Sequence, residues 1–344
     1  MKKSHLGLVI TVALVAGAAV FLYLRLDQSG FAWERFVAVM QGLRWPWMAA
    51  SIPLILAAYV VRALRWKVMI RHMAPQATLW QLTVSTFIGF TAVVLFGRAG
   101  EPVRPYLIAH KQGLPFSSQV AAWFVERILD LLMILALFGL ALTRTGSVGW
   151  APDSWLHTAL QAAGWVAGVT GAGCLAGLIA LRRYRGQIRS RLEQALSFLP
   201  EVPLARVRGF IHAFDECMES TRDPASLWML VGLTVVEWTL VAGVFISVLW
   251  AFPEVSRLTV SEVLTTMGFV TFAGVIQIPG VGGGMQIAAI LVLTELYGIG
   301  VEAANGVALV LWATNFLTAL PLGLFMAFHE GIHWRTMKHV GDDL

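Results

Sequence analysis

The sequence predicts an all-α polytopic membrane protein. It would have about six full transmembrane helices plus two Gly/Pro-rich re-entrant or paired helical hairpins, arranged as an inverted repeat. Three observations predict this. Hydrophobic residues make up 58% of the chain and charged residues 13%, about half the charge of a soluble domain. The apolar residues fall in blocks near the ~20 residues needed to cross a hydrocarbon core of about 30 Å. The basic residues cluster at block ends in a pattern that makes topological sense only if one block turns back.

Block 5–26 follows Lys2 and Lys3. Its apolar run is long for a signal peptide and no small-residue cleavage site precedes Arg25, so it reads as a retained first helix with its N-terminus in the cytoplasm. Segment 31–44, with Phe31, Trp33 and Phe36, is expected along the outer interface. Block 46–68 returns and delivers Arg62, Arg65, Lys67 and Arg71 to the cytoplasmic end; Arg62 and Arg65, one turn apart, read as snorkelling topology anchors.

Block 77–96 creates a parity conflict. If it crossed once, the basic run Arg182, Arg183, Arg185, Arg189 and Arg191 would face outward. The conflict disappears if 77–110 enters from the cytoplasm and reverses at Gly97-Arg98-Ala99-Gly100-Glu101-Pro102. Such a hairpin is stable only where protein or a water-filled cavity covers its bare backbone. Blocks 116–143 and 155–181 then cross. Loop 182–226 reads as two amphipathic helices on an anionic leaflet, with Ile188, Leu192, Leu196 and Leu199 as one stripe and Leu204, Val207, Ile211, Phe214 and Met218 as the other.

Block 227–251 runs outward. Segments 262–278 and 283–297 flank Pro279-Gly280-Val281-Gly282-Gly283-Gly284, a second hairpin entering from the outside, and 303–328 brings the chain back to a cytoplasmic tail with Arg335, Lys338 and His339. The whole chain, 1–344, is thus expected to be one domain of the cell (inner) membrane with both termini cytoplasmic. Its first repeat is 45–181 and its second 227–328. No stretch is long enough for a separate soluble catalytic domain. The net charge of +5 follows from topology and does not imply nucleic acid as a partner. Cys174 and Cys217 offer neither a disulfide framework nor metal-ligand spacing.

Four motifs occur in a fixed order: Arg62-Ala63-Leu64-Arg65-Trp66; Gly97-Arg98-Ala99-Gly100-Glu101 followed by Arg104; Glu126-Arg127-Ile128-Leu129-Asp130; and Pro279-Gly280-Val281-Gly282-Gly283. Together they resemble the flippase-like membrane family that includes the transmembrane region of lysylphosphatidylglycerol synthase. The resemblance departs at two places: Gln286 stands where the family often has Glu, and Trp312 where it often has Arg. It implies the movement of a membrane lipid or lipid-linked glycan between leaflets, with an anionic phospholipid or lipid-linked glycan as partner.

Ionisable residues within a span are costly and point to function. Glu126 and Asp130 share a helix face and Arg127 can reach Asp130. Arg98 and Arg104, with Glu101 in the same turn, are the nearest candidate partners. Two readings stay open: a buried network that fixes the hairpin to helix 116–143, or a headgroup site in which Arg98 and Arg104 grip phosphate through forked hydrogen bonds. The second turn, with Gly280, Gly283 and Gln286, is a further candidate substrate contact through its backbone N–H groups. Glu237 is a candidate coupling group with no partner evident in the sequence.

His329-Glu330-Gly331-Ile332-His333 fits the H-E-x-x-H zinc pattern. It leaves a membrane-embedded enzyme, either a zinc protease or a lipid-group transferase, as an alternative. A scaffold for a separate lipid-modifying enzyme is a third reading. Neither Gly-rich turn has the Walker pattern, and no cofactor or resident metal is expected.

Overall fold

The computed structural model describes residues 31–145, 224–274, 277–278 and 282–331, with scattered helical positions between 162 and 176. The expected helix 5–26, most of 155–181, the loop helices up to residue 223, Cys174, Cys217, Gly280 with the rest of 279–281, and the tail from 332 lie outside the described residues.

Among the described residues four helices are long and apolar enough to cross a membrane: Trp45–Ile70, Leu79–Gly100, Ala225–Ala251 and Val301–His329. Large apolar side chains stand on their outer faces, among them Trp228, Phe325 and Phe328. Such exposure would be costly in water but is neutral against lipid tails, which are as apolar as the side chains themselves.

A short amphipathic helix, α1 (Trp33–Gln41), precedes the spans. Its start is tied down where the Ala32 N–H donates to Glu302 Oε1 at 3.2 Å. Helices α2 (Trp45–Ile70) and α6 (Pro224–Ala251) form an antiparallel pair. At one end the Arg44 N–H donates to Ala251 O at 2.9 Å and the Trp47 and Trp250 rings meet edge to face at 5.2 Å. Further along, Gly243 packs on Leu54. Towards the other end Arg65 reaches Thr234.

The first hairpin is α3 (Leu79–Phe96), a 3-10 turn at Gly97–Gly100 and α4 (Val103–Gln112). A reciprocal cap opens it: the Gln81 N–H donates to Thr78 Oγ1 while Gln81 Oε1 accepts from the Thr78 N–H, both at 3.2 Å. The chain reverses at Gly97, whose φ of 63° is open to glycine at no steric cost. The arms then run back to back. Gly100 seats on the backbone of Ala92, Gly89 on the side chain of Arg104, and Gln112 Nε2 donates to Gln81 Oε1 at 3.2 Å. Both open ends of the hairpin therefore lie together.

The second hairpin is α7 (Val260–Ala273), α8 (Gly284–Leu291) and a π-helical turn at Val292–Leu296. It also opens on a reciprocal cap, between Thr259 and Glu262. Its open ends close where Tyr297 OH donates to Glu262 O at 3.2 Å. Its apex is not purely helical: β1 (Gln277–Ile278) pairs antiparallel with β2 (Gly282–Gly283), in the register Gln277 with Gly283 and Ile278 with Gly282. This ladder pairs backbone groups of the turn with one another.

Helix α5 (Phe116–Thr145) follows the first hairpin, and α9 (Val301–Leu317) and α10 (Ala319–His329) follow the second. Together α9 and α10 make the expected helix 303–328, running as one span over Val301–His329 with Thr318 in helical φ/ψ between them. Pro321 offers no N–H to the carbonyl of Leu317. Nearby carbonyls find partners on α2 and α3: Tyr59 OH donates to Asn315 O at 3.0 Å and Thr91 Oγ1 to Ala319 O at 3.2 Å.

Each hairpin packs on a long helix distant in sequence. Helix α3 lies on α10, with Gly323 against Thr91 and Phe87, and α7 lies on α5, with Gly268 against Leu137 and Ala141. The open end of the first hairpin is joined to the end of α10 by Lys111 Nζ and Glu330 Oε2 at 2.8 Å. At the other end of the bundle Arg257 Nη2 donates to Tyr297 O at 3.1 Å. The two hairpins thus open at opposite ends, and their apices approach one another where β1 meets the Gly97–Gly100 turn.

Candidate functional site

Where α2, α4, α5 and α6 converge, seven charged side chains meet. Helix periodicity sets their supply: Arg62 and Arg65 are one turn apart on α2, and Glu126 and Asp130 are one turn apart on α5, so each helix presents two charges on one face. Arg104 arrives on α4, Arg127 on α5 and Glu237 on α6.

Arg65 is the hub and is fully buried. Its Nη1 donates to Asp130 Oδ1 at 2.8 Å and lies 2.8 Å from Glu237 Oε2, while its Nη2 lies 3.3 Å from Glu126 Oε1. Arg62 Nε lies 2.6 Å from Glu237 Oε1, and its guanidinium sits over the Phe90 ring at 4.8 Å. Arg104 Nη1 donates to both carboxylate oxygens of Glu126 at 3.1 and 2.9 Å, and its Nη2 donates to Arg62 O at 3.1 Å. The Arg104 guanidinium also stacks over Trp66 at 4.2 Å. The Trp66 indole N–H donates to Gln119 Oε1 at 2.9 Å, which fixes the ring for that stacking. Arg127 Nη2 reaches Asp130 Oδ2 at 3.0 Å and Glu126 Oε2 at 3.6 Å.

One sequence expectation is corrected by this geometry. Arg62 and Arg65 are not snorkelling anchors: they turn inward along α2 because Glu237, Asp130 and Glu126 face them, and a buried carboxylate is tolerated only when paired. In the assembled cluster four guanidiniums face three carboxylates. The sequence signal for the missed pair was Glu237 itself, an intramembrane acid that had to have a base.

The motif residues of the first turn divide. Arg104 joins the network, whereas Arg98 stands 55% exposed at the apex and pairs with Glu101 at 3.6 Å. Among the second-turn candidates, Gln286 Oε1 accepts from the Gly283 N–H at 2.8 Å and so caps α8. The H-E-x-x-H reading loses its helix: α10 ends at His329, and Gly331 takes a left-handed φ of 66°. Glu330 is engaged by Lys111 instead of facing a metal, and His333 lies outside the described residues. A cavity of about 200 Å³ lies away from the network, at the end of the bundle where Arg35, Gly42, Phe252 and Glu254 meet.

Four N–H donors of the cluster, Arg65 Nε and Nη2, Arg104 Nε and Arg127 Nε, are buried without a hydrogen-bond partner, as are both carboxylate oxygens of Glu237, which meet Arg62 and Arg65 as ion pairs. The free donors outnumber the free acceptors, which is the chemistry of an anion-binding arrangement.

A family model described as the lysylphosphatidylglycerol synthase TM region matches residues 6–323. A stretch of 107 residues is 30% identical to a protein named glycosyltransferase AglD from Haloferax volcanii. That stretch is 31% of this chain and 17% of the relative, so the chain spans only a small part of that protein's length. No solved structure matches the chain.

Proposed function

The chain belongs to the lysylphosphatidylglycerol synthase TM-region family, and from that premise we propose that it moves an anionic membrane lipid or lipid-linked glycan between leaflets by flippase-like transport. The headgroup binds at the buried guanidinium network of α2, α4, α5 and α6. The observation that carries this reading is the excess of cation: four arginines against three acids, with N–H groups on Arg65 and Arg104 left unpaired in a region without bulk water. A network built only for stability would balance its charges, because an uncompensated buried charge is expensive.

The packing supports an inverted repeat. Exchange α2, α3, α4 and α5 with α6, α7, α8 and the α9–α10 pair, and the contact of α3 with α10 becomes that of α7 with α5; both occur. On this reading each hairpin is re-entrant, and the two meet near the midplane as in broken-helix transporters. The basic residues Lys67, Arg71 and Lys111 favour a cytoplasmic open end for the first hairpin, and on this reading the end of α10 beside it faces the cytoplasm too.

Purified protein in proteoliposomes, with a fluorescent anionic lipid and a membrane-impermeant quencher, tests the assignment. The double variant Arg104→Ala/Glu126→Ala removes one cation and one anion together, so the net charge of the site is kept. It is expected to abolish translocation while the protein stays monodisperse. Wild-type rates in this variant would sink the site.

The match to a protein named a glycosyltransferase favours a second reading, in which the chain serves a separately encoded lipid-modifying enzyme. Co-purification of such an enzyme, together with no translocation by the chain alone, would support it over transport.

A further inference from the structure

We infer that the site selects a singly charged phosphodiester headgroup over a doubly charged phosphate monoester or diphosphate. This inference rests on the headgroup reading above and narrows its substrate class.

The argument begins with charge counting. Each carboxylate of the cluster lies against at least two guanidiniums: Glu237 between Arg62 and Arg65 at 2.6 and 2.8 Å, Asp130 between Arg65 and Arg127 at 2.8 and 3.0 Å, and Glu126 against Arg104 at 2.9 Å and Arg65 at 3.3 Å. Two guanidiniums against each acid favour its ionised form, and the cluster is counted with all three acids ionised. The guanidiniums are charged under all ordinary conditions. The cluster therefore carries one net positive charge. The nearest other charged pair at the hairpin, Arg98 with Glu101, is balanced and adds nothing.

In a medium of low dielectric, a ligand that neutralises this single charge is favoured, and one that overshoots it leaves a buried net negative charge. A phosphodiester carries one negative charge and supplies acceptor oxygens for unpaired donors. Those donors are in place: Arg65 Nε and Nη2 and Arg104 Nε, on side chains that are almost wholly buried. Arg62 and Arg127 are the members that reach the open surface, at 20% and 38% exposure, and so form the way in. The second half offers no matching surplus: Gln286 and Trp312, at positions where the family often carries charge, are neutral. Lipid-linked glycans joined through a single phosphate stay within the class, and those joined through a diphosphate fall outside it.

The test is competitive lipid binding to purified full-length protein, read by native mass spectrometry. Dioleoyl phosphatidylglycerol, dioleoyl phosphatidic acid, a polyprenyl diphosphate and neutral-net dioleoyl phosphatidylcholine are the probes. Soluble glycerophosphoglycerol is included to separate the headgroup from its acyl chains. Wild-type protein is expected to hold phosphatidylglycerol roughly tenfold more tightly than the two doubly charged lipids, a difference of one modest charge interaction. Glu237→Gln raises the site by one charge and is expected to reverse the order. Arg127→Gln, at the open edge where folding depends on it least, brings the site to zero and is expected to reduce phosphatidylglycerol binding to the level of phosphatidylcholine.

Equal or tighter binding of the doubly charged lipids by wild-type protein, or an order that neither variant alters, overturns the inference while leaving the headgroup site standing. Failure of every anionic lipid to outbind phosphatidylcholine overturns the headgroup reading itself. Binding of the soluble diester as tight as that of the lipid keeps the phosphodiester class and refutes a lipid as its source.

Discussion

The two hairpins of this molecule share an architecture and differ in chemistry. Each begins with a Thr-x-x-Gln or Thr-x-x-Glu reciprocal cap, turns at a Gly-rich apex and closes its open ends with a polar contact, Gln112 to Gln81 in one and Tyr297 to Glu262 in the other. The first lies on α10 and the second on α5. Yet the first hairpin is pinned into a charged cluster through Arg104, while the second keeps its polar groups to itself, with Gln286 capping its own helix and a short ladder closing its apex. The likeness of the two hairpins therefore stops at their scaffolding: among the described residues the seven-membered charged cluster engages the first hairpin, through Arg104, and not the second.

That contrast can be broken at its strongest point first. Arg65→Ala removes the hub, so Asp130, Glu237 and Glu126 each lose one of their buried guanidinium contacts, a loss of about 3–5 kcal/mol. Thermal unfolding in detergent should fall steeply, or the protein should fail to accumulate. A variant of wild-type stability would mean that the cluster is not the anchor of the first half. Next in size, Gly268→Leu forces a side chain into a gap where even a Cβ would come within 2.7 Å of Leu137 O. It should cost about 1–3 kcal/mol and weaken the seat of α7 on α5 without touching the charged site, so that lipid binding outlasts the loss of stability. The smallest effect is expected from Gln286→Ala, which deletes one capping hydrogen bond worth about 0.5–1.5 kcal/mol. Translocation in this variant should stay near wild type. Its collapse would show the second hairpin to be as chemically engaged as the first.

The membrane class and the reversal at Gly97 were legible because both follow from local quantities: block length, glycine at the turn, and the count of basic residues along the chain. The family was legible from the order of four motifs, and its model covers residues 6–323. The content of the site was only half legible. Glu126, Arg127 and Asp130 stood together on one helix, but Arg65 is separated from Asp130 by 65 positions and from Thr234 by 169. Which of two arginines in one motif turns inward was also beyond sequence: Arg98 and Arg104 are less than two turns apart, and only the reversal of the chain puts one at the apex and the other against α5.

The Ser and Thr residues buried in the hairpins carry one more consequence. On α3, Thr83, Ser85 and Thr86 donate to the carbonyls of Leu79, Gln81 and Leu82; on α7, Thr265, Thr266 and Thr271 donate to those of Ser261, Glu262 and Met267. Every one of these hydroxyls is satisfied within its own helix, four residues back. A hairpin so equipped owes its neighbours few directional bonds, and sliding it as a unit breaks none of these. Among the described residues, attachments of the first hairpin that resist such a slide include Thr91 to Ala319 near the apex, Lys111 to Glu330 at the open end, and Arg104 at the cluster between them. Mechanically it resembles a smooth bar held by pins, and on the headgroup reading Arg104 is the pin an arriving anion would compete for.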